Sequence, residues 1–410
     1  MKTFYYLVVL IFISNFAASC GSDNDSPIII DDEETVTVVT KAGIIKANET
    51  WTADKIYILG GKVVVDEGVT LTIEAGTIVK GAEGQGSLAS ALVVDQGGKL
   101  IAEGTAAKPI IFTSVLDNIQ IGQKAGTNLS IADIGLWGGV IVLGKAPISV
   151  SGDVATKQIE GIPATDTFGQ YGGTVATDNS GVFKYISIRH GGITIGADNE
   201  INGLTLGGVG SGTTVDHIEI VANQDDAIEI FGGSVNVTNI LTWAQGDDAL
   251  DFDEAWSGSI KNALVIMGTG SDSAMELDGP AGSAATEAGY TIENVTLKGA
   301  GTSSKYADLR DGLIATMKNV LAYGFSAESK VKVNGADSKT ELANNRIKFL
   351  GWQVVLPVGV TVANLIEGAN AGDEVKFINN ATSIASASAA TVGATTSVFS
   401  WTYASSKSAY

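Results

Sequence analysis

The chain has 410 residues, of which 45% are apolar, and this is enough for a large core, which excludes a wholly disordered chain. It contains 51 glycines, 6 prolines and many β-branched residues, a composition typical of short strands joined by tight turns. With 25 basic and 45 acidic residues the net charge is −20, which argues against nucleic acid as a partner because such a surface repels phosphate.

The N-terminus has the pattern of a secretory signal peptide. A basic start at Lys2 is followed by an apolar run over residues 4–13 and by small residues up to Cys20. This run is shorter than the roughly 20 apolar residues that a membrane-spanning helix needs. Because Cys20 is the only cysteine, an internal disulfide and a cysteine-based zinc site are both excluded. We predict a signal peptide over residues 1–19.

The segment Ala17-Ala18-Ser19-Cys20 resembles a bacterial lipobox, although alanine stands at position 17 where leucine is usual. The resemblance implies a covalent lipid on Cys20, whereas the alternative is a buried free thiol. The acidic stretch that follows lacks periodicity and is typical of a solvated tether, which we predict over residues 20–45. It also resembles the export signal of Bacteroidota surface lipoproteins, which implies a lipid-anchored outer-membrane protein exposed at the cell surface.

A repeated unit of about 22 residues indicates the fold class. Each copy has an apolar residue, a polar residue, usually an asparagine, and then an apolar run. The copies start at Phe183, Val215, Val237, Ile260, Ile292 and Met317. Because no copy has a long helical period, short strands remain, and a unit of this length suits one coil of a parallel β-helix. Asn239, Asn262 and Asn294 would then stack as a ladder about 4.8 Å apart. A tandem of β-sandwiches is the alternative, but it needs about 100 residues per unit.

Several stretches outside these repeats are also distinctive. They read VTLTIEAGTIVKG at 69–81, GGKLIAEGT at 97–105, PIIFTS at 109–114, WGGVIVLG at 137–144, RHGG at 189–192 and NGLTLGGVG at 202–210. Together they resemble right-handed β-helix lipoproteins of the Bacteroidota over most of residues 50–330. The resemblance implies an all-β, right-handed parallel β-helix and no particular function. We predict the β-helix over residues 46–350, a lateral excursion over 148–181, and a C-terminal coil or cap over 351–410.

Three successive repeats carry an acidic motif in the same register. It reads DDAIEI at 225–230, DDALDF at 247–252 and DSAMEL at 272–277. Strand alternation sends six apolar side chains into the core. These are Ile228, Ile230, Leu250, Phe252, Met275 and Leu277. Glu229, Asp251 and Glu276 then lie on the opposite face, about 5 Å apart.

Like charges stacked in this way destabilise a sheet unless something compensates them. The candidates are raised pKa values, nearby lysines or a bound cation. Calcium takes roughly six to eight oxygen ligands in flexible geometry and is the ion that we predict. The candidate ligands are Asp225, Glu229, Asp247, Asp251, Asp253 and Glu276. The alternative is a solvated acidic face, because aspartate is also favoured in turns.

Two tryptophans and one basic pair are candidate ligand-binding residues. Trp243 and Trp256 follow the acidic motifs, and an exposed ring beside carboxylates suits a sugar, although core packing is the alternative. Arg189 and His190 lie in a glycine-flanked turn and are a further candidate binding pair. His217 takes the position of the repeated asparagine, which predicts a place in the ladder rather than catalysis.

Three functions are consistent with these features. The first is a non-catalytic surface protein that binds a glycan or an outer-membrane protein, assisted by calcium. The second is a polysaccharide lyase or glycoside hydrolase with Asp251 and Glu276 near the centre of its site, because lyases use a cation and a base and hydrolases use two carboxylates. The third is a structural rod that displays loops.

Overall fold

The computed structural model describes residues 37–196, 199–254, 256–280, 283 and 289–410. Twenty-four of its strands form one continuous sheet, in which the described strands pair in parallel. The predicted all-β parallel β-helix is therefore confirmed. Among the described residues, no helix combines the length and the apolar character that crossing a membrane requires.

The bounds of the elements follow in chain order. The strands are β1 (Thr37–Ile45), β2 (Glu49–Trp51), β3 (Lys55–Val65), β4 (Thr70–Ile73), β5 (Ile78–Gly81), β6 (Ala91–Val94), β7 (Lys99–Glu103), β8 (Ile110–Ser114), β9 (Val140–Leu143), β10 (Lys157–Gln158), β11 (Gln170–Tyr171), β12 (Gly181–Arg189), β13 (Ile193–Gly196), β14 (Asn199–Ile201), β15 (Leu204–Gly207), β16 (Thr214–Val221), β17 (Ile228–Phe231), β18 (Asn236–Trp243), β19 (Leu250–Asp253), β20 (Ser259–Ile266), β21 (Glu276–Leu277), β22 (Tyr290–Lys298), β23 (Ala307–Leu309), β24 (Ala315–Tyr323), β25 (Val331–Val333), β26 (Ile347–Val354), β27 (Ile366–Glu367) and β28 (Ala381–Ser383). The α-helices are α1 (Gly335–Ala343), α2 (Val375–Ile378) and α3 (Tyr403–Ser406). Short 3-10 helices span Gly86–Leu88, Val362–Asn364, Ala387–Ala389 and Thr396–Phe399.

The winding chain produces three faces. Face 1 contains β2, β4, β7 and the first halves of β12, β16, β18, β20, β22, β24 and β26. Face 2 contains the first halves of β1 and β3, then β5 and β8, the second halves of the same seven long strands, and β28. Face 3 contains the second halves of β1 and β3, then β6, β9, β15, β17, β19, β21, β23, β25 and β27.

The corner between faces 1 and 2 is formed by one left-handed residue in each long strand. These residues are Tyr185, His217, Asn239, Asn262, Asn294, Asn319 and Gly351, with φ between +50° and +67°. Asparagine and glycine tolerate this conformation better than other residues, which accounts for the repeated asparagine. Asn262 Nδ2 donates to Asn239 Oδ1 at 2.7 Å, and Asn239 Nδ2 donates to Asp216 Oδ1 at 2.8 Å. The predicted ladder is confirmed, and His217 belongs to it, with its ring stacked on Tyr185 at 4.2 Å.

Side chains that point inward from the three faces form one long core. It includes all six apolar residues of the acidic motifs, each fully buried as predicted. At the C-terminal end Leu342 of α1 and Phe377 of α2 join this core, and the ring of Phe377 packs against Phe349 and Trp352. These helices therefore cover the end of the core that the last coils leave open.

Charges alternate on the solvent side of face 1. Lys184, Asp216, Thr238, Lys261, Glu293 and Lys318 are paired in register down consecutive long strands. Glu293 lies between two lysines, with carboxylate–ammonium distances of 3.5 Å to Lys261 and 3.4 Å to Lys318. In this column the fold places opposite charges on most adjacent strands, which is the favourable arrangement.

The predicted lateral excursion leaves the coil between β9 and β12 and contains the antiparallel pair β10–β11. It returns along face 3 and is tied there by hydrogen bonds. Tyr171 Oη donates to Glu254 Oε1 at 2.7 Å, and Gln96 Nε2 donates to the carbonyl oxygen of Gly172 at 2.7 Å. The second antiparallel pair, β13–β14, contacts the excursion, because the backbone N–H of Gly161 donates to Asn199 Oδ1 at 2.6 Å.

The C-terminal coil or cap predicted over residues 351–410 includes β27, β28 and α2, which continue and cover the array, but its last part lies elsewhere. Residues 394–410 lie against the outer side of face 2, where Phe399 and Ala404 pack with Leu241, Leu264 and Ile266. Two predicted boundaries are also wrong. The tether predicted over 20–45 includes β1, whose backbone pairs with β3, and the predicted boundary at residue 350 falls inside β26 because that strand continues the repeat. The signal peptide and Cys20 lie outside the described residues.

Candidate functional site

An acidic cavity opens on the outer side of face 3, at β17, β19, β21 and the turns before them. Its volume is about 310 Å³. Asn202 and Arg310 line it together with ten carboxylic acids, which are Glu160, Glu200, Asp225, Asp226, Glu229, Asp247, Asp248, Asp251, Asp253 and Glu276. All six predicted cation ligands therefore line this one cavity.

The register of the acidic motifs is as predicted. Glu229 pairs with Asp251, and Asp251 pairs with Glu276, on adjacent parallel strands. Two of these residues are more buried than a solvated face would allow, since Glu229 is only 6% exposed and Asp251 only 7%. Asn202 directly follows β14. It covers the carboxylate of Glu229 and donates a hydrogen bond to its Oε2. The two carboxylates are therefore enclosed rather than open to bulk water.

Three carboxylates form the inner cluster, which we define as Asp226, Glu229 and Asp251. One oxygen of each lies within 4.8 Å of the others, and all three side chains are buried. Asp226 Oδ1 accepts the backbone N–H of Asp248 at 2.8 Å, which fixes its carboxylate. Asp251 Oδ1 is buried and has no hydrogen-bond partner. An unsatisfied buried carboxylate oxygen is costly, so the inner cluster is suited to a ligand that supplies positive charge.

A second group, the outer cluster, consists of Asp225, Asp226 and Asp247, again with oxygens within 4.8 Å of one another. It lies nearer the surface, since Asp247 is exposed and Asp225 is half-buried. A third group joins Asp247 and Asp248 to Asp272, but there Lys305 Nζ lies 2.7 Å from Asp272 Oδ2 and already supplies a positive charge. The inner and outer clusters share Asp226 and thus form a continuous acidic surface.

The protonation of the cavity reflects its burial. Burial, reinforced by neighbouring carboxylates, raises the pKa values of Asp226, Glu229 and Asp251 well above their usual range. Burial and the charges of Glu200 and Asp247 raise the pKa of Asp225 to about 7. A bound cation would compete with these protons, because carboxylates must be ionised to act as ligands.

Two of the predicted ligands have other partners. Glu276 forms an ion pair with Arg310, whose Nε also lies 3.2 Å from Asp278 Oδ1. Asp253 lines the cavity beside Asp278, and burial followed by the charge of Asp253 raises the pKa of Asp278 to about 9. Glu276 and Asp253 belong to none of the three carboxylate groups found among the described residues. We therefore assign them to the wall of the cavity rather than to the inner cluster.

Several cavity residues were not predicted. Asp226 and Asp248 are the second residues of the two Asp-Asp pairs in the repeated motif. Their matching positions in the repeat could therefore have identified them as cavity residues. Glu160 and Asn202 carried no such signal, because they come from the excursion and from the segment after β14. The structure joins them through Asn202 Nδ2, which donates to Glu160 Oε1 at 3.0 Å as well as to Glu229. Burial raises the pKa of Glu160 to about 7.

Neither tryptophan lines the acidic cavity. Trp256 is fully buried, donates from Nε1 to the carbonyl oxygen of Val235 at 3.0 Å and packs against Phe252. The predicted exposed ring is therefore wrong for Trp256, because its side chain points into the core. Trp243 is half-buried on face 2, with its ring 5.9 Å from that of Tyr403, so it packs with the C-terminal segment.

The basic pair also has structural partners. Arg189 is 2% exposed, lies 3.7 Å from Glu219 and places its guanidinium 4.7 Å from the ring centroid of Tyr403. His190 is 2% exposed, and its Nδ1 lies 2.7 Å from the carbonyl oxygen of Asp133. The prediction that this pair binds a ligand is wrong, because both side chains are enclosed by the contacts that hold neighbouring segments.

A side groove adjoins the acidic cavity. It has a volume of about 620 Å³ and lies between the excursion and face 3. It shares Glu160, Glu200 and Asp253 with the acidic cavity, so the two form one connected depression. Ile159 and Phe231 provide apolar surface in this groove, and Lys157 lies at its edge.

Comparison of the chain with known proteins identifies one matching family. A family model described as a pectate-lyase-like beta helix domain matches residues 43–406, which include the whole acidic cavity and the side groove. No curated protein and no solved structure matches the chain.

Proposed function

The chain belongs to the family of pectate-lyase-like beta helix domains, and we propose that it is a calcium-dependent binding protein whose acidic cavity holds the ion. The observation that carries this proposal is the inner cluster, in which three buried carboxylates converge and Asp251 Oδ1 has no hydrogen-bond partner. A divalent cation would satisfy that oxygen and offset the repulsion among the three groups.

Calcium fits this ligand set better than other common divalent cations. The cavity offers carboxylate oxygens and the amide oxygen of Asn202, which are hard ligands, and among its lining residues there is no histidine or cysteine. Asn202 Oδ1 is also buried without a hydrogen-bond partner. Calcium accepts six to eight oxygens in flexible geometry, whereas magnesium requires a regular octahedron.

The column of charges on face 1 supports a functional origin for the acidic cavity. There Glu293 lies between Lys261 and Lys318 in register, so adjacent charges are opposite. At the same strand spacing on face 3, Glu229 lies opposite Asp251. The raised pKa values of both groups reflect the cost of ionising this pair where no positive charge is present. Such an arrangement is expected where a ligand supplies the missing positive charge.

A calcium ion on the inner cluster would keep coordination positions free for a partner, because three carboxylates do not fill its shell. We propose that these positions bind oxygen atoms of a glycan or of a protein partner. The sequence motifs at the N-terminus support a surface location, with Cys20 carrying the lipid anchor in the outer membrane. A Cys20→Ala variant is then expected to leave the membrane fraction and to lose fatty-acid labelling, and unchanged fractionation would contradict the anchor.

Calorimetric titration with calcium tests the proposed cation site. The chelated wild-type protein is expected to bind calcium, whereas Glu229→Gln and Asp251→Asn should each lower the affinity about tenfold or more, which corresponds to about 1.4 kcal/mol. Glu293→Gln is the matched control, because it removes a stacked carboxylate of face 1 and should leave calcium affinity unchanged. Absence of calcium binding to the wild-type protein would favour the purely structural rod.

A uronate lyase is a second candidate, favoured by the family description and by Arg310 at the edge of the cavity. Such an enzyme uses a cation to acidify a proton beside a uronate carboxyl group and a base to remove it. The engagement of Arg310 with Glu276 and Asp278 argues for a structural role of its guanidinium. Release of unsaturated uronates from polygalacturonate in calcium would establish the lyase, and no release is expected from a binding protein.

A further inference from the structure

A second pocket opens at the corner between faces 1 and 2 in the first coils. From β12 onward one left-handed residue turns the chain at this corner, whereas the earlier coils use longer turns, at 52–54, 74–77 and 104–109. Residues 121–124, from the loop between β8 and β9, face these turns and enclose a volume of about 270 Å³ with them. We call this the corner pocket. It shares no lining residue with the acidic cavity.

The outer wall of the corner pocket is held in place by buried contacts. At one end of this loop, Lys80 Nζ donates to the carbonyl oxygen of Asp117 at 2.7 Å. Further along it, Arg189 Nη1 donates to the carbonyl oxygen of Lys124 at 2.7 Å. Between these points Ile121 packs against a buried apolar cluster. The pocket is therefore preformed, which lowers the entropic cost of binding a ligand there.

The floor of the corner pocket consists of small apolar groups. Ala53, Ala75 and Ala107 come from the turns of three successive coils, and Gly76 and Pro109 lie beside them. Ala53 and Ala75 are half-buried and Ala107 is exposed, so their methyl groups are accessible to a ligand. A floor of this kind suits the apolar part of a ligand, and the volume of about 270 Å³ restricts that ligand to a small molecule.

The charge of the corner pocket is opposite to that of the chain as a whole. Lys108 and Lys124 line it, and its described lining residues include no carboxylate, although the chain has 25 basic and 45 acidic residues. Lys124 Nζ donates to the carbonyl oxygen of Ala106 at 2.8 Å, a neutral acceptor that leaves its charge unpaired. Within the described part of the chain, the ammonium group of Lys108 has neither a hydrogen bond nor an ion pair.

The acidic side chains of the three turns have other partners. Asp54 accepts a hydrogen bond from Thr52 and lies 3.5 Å from Lys55 Nζ. Glu74 Oε2 accepts the backbone N–H of Ala53 at 3.2 Å. These two acids therefore do not neutralise the lysines of the corner pocket. An anion that enters the pocket would form charge-assisted hydrogen bonds with both ammonium groups.

We infer that the corner pocket binds a small organic carboxylate, whose charged group contacts Lys108 and Lys124 and whose apolar part lies on the alanine floor. Inorganic phosphate fits less well, because the described lining has no arginine for bidentate contacts and the ion has no apolar part. An acidic sugar also fits less well, since its hydroxyl groups would lose hydrogen bonds to water against the alanines. The inference is independent of the proposed calcium site, with which this pocket shares no residue.

An NMR titration of the full-length protein with benzoate, in chelator, tests the inference. Saturable binding is expected, with a dissociation constant of about 1 mM or lower. Benzamide has the same shape without the charge, acetate lacks the apolar part, and each should bind at least about tenfold more weakly, as should phosphate and galacturonate. Absence of benzoate binding overturns the inference, as does any of the other four compounds binding as tightly as benzoate.

Three variants locate the site. Lys108→Met and Lys124→Met keep a long side chain but remove its charge, so each should weaken benzoate binding about fivefold or more and leave benzamide binding unchanged. Lys99→Met is the matched control, because Lys99 is an exposed lysine of β7 that does not line the pocket, and its loss should leave benzoate affinity unaltered. The melting temperature of each variant shows that it is folded. Unchanged benzoate affinity in both pocket variants, or an equal loss in the control, overturns the inference.

Discussion

Glu229 and Asp251 lie directly opposite each other on β17 and β19, and both carboxylates are more than nine-tenths buried. Burial and then neighbouring carboxylates raise both pKa values, with Glu160 and Asp251 acting on Glu229 and Asp226 and Asp253 acting on Asp251. We expect Asp251→Asn to raise the melting temperature of the calcium-free protein by a few degrees at about pH 9, because it removes one of two buried carboxyl groups that alkaline pH drives to ionise. The same variant should lose the stabilisation that calcium gives the wild-type protein. Differential scanning calorimetry in calcium and in chelator measures both effects.

Glu293→Gln serves as the control for this prediction, because Glu293 occupies an equivalent stacked position between Lys261 and Lys318. Its removal should lower the melting temperature slightly in both buffers, since exposed ion pairs contribute about 0–1 kcal/mol. If Asp251→Asn also lowers the melting temperature in chelator, the carboxylate of Asp251 is stabilised by the protein itself and needs no cation.

The stability of the calcium-free protein should fall as the pH rises. Burial raises the pKa values of Asp225 and Asp248 to about 7 and that of Asp278 to about 9, from ordinary values of about 4. A carboxyl group with a raised pKa in the folded chain binds its proton more tightly there than in the unfolded chain. Its contribution to stability is therefore complete below about pH 4 and is lost as the pH rises through 7 to 9.

Thermal unfolding between about pH 5 and pH 9 measures this effect. The melting temperature in chelator should decrease over that interval, and calcium should remove most of the decrease by replacing the protons. The affinity for calcium should rise over the same interval. A melting temperature in chelator that increases from pH 5 to pH 9 would show that the cavity ionises without cost.

Much of the fold was predictable from the sequence, because a β-helix repeats the same local requirement in every coil. The left-handed corner selects asparagine at positions 239, 262 and 294, and strand alternation sends Ile228 and Phe252 inward. Both are properties of short segments, so periodicity alone reveals them. The register of Glu229 with Asp251 follows from the same repeat.

The enclosure of the site was not predictable, because it depends on segments that do not repeat. Glu160 reaches the cavity from the excursion, and its approach to Glu229 is set by the tertiary path of that loop. The burial of Arg189 likewise results from a segment more than 200 residues later in the chain, where Tyr403 packs over its guanidinium. Local sequence patterns contain no information about such contacts.

Glu219 holds the C-terminal segment against face 2. Its carboxylate accepts the backbone N–H groups of Tyr403 at 3.1 Å and Ala404 at 2.8 Å, and it lies 3.7 Å from Arg189. Glu219→Ala would leave a buried guanidinium without its carboxylate, which costs about 3–5 kcal/mol. We expect a lower melting temperature and rapid proteolysis after residue 394. Tyr403→Phe retains the ring and the backbone contacts, so it should behave like the wild-type protein. Equal protease resistance of the Glu219 variant would contradict this role.

The asparagine ladder is testable at its middle member. Asn239 has φ of +53°, donates to Asp216 and accepts from Asn262. Asn239→Gly keeps access to this conformation but loses the side-chain hydrogen bonds, whereas Asn239→Ala also forces alanine into the left-handed region at about 1–2 kcal/mol. The alanine variant should therefore be the less stable of the two in urea unfolding. The reverse order would mean that the left-handed backbone conformation does not determine the preference for asparagine at this corner.

The return of the chain end to face 2 affects how the molecule unfolds. A solenoid whose coils touch only their neighbours tends to fray from its ends, one repeat at a time. Here the backbone N–H of Tyr403 donates a hydrogen bond to Glu219, 184 residues earlier in the chain. The last segment is therefore bound to a coil in the middle of the array. Because this contact opposes separation of the coils between these two points one at a time, we expect that part of the solenoid to unfold more cooperatively than a solenoid without it.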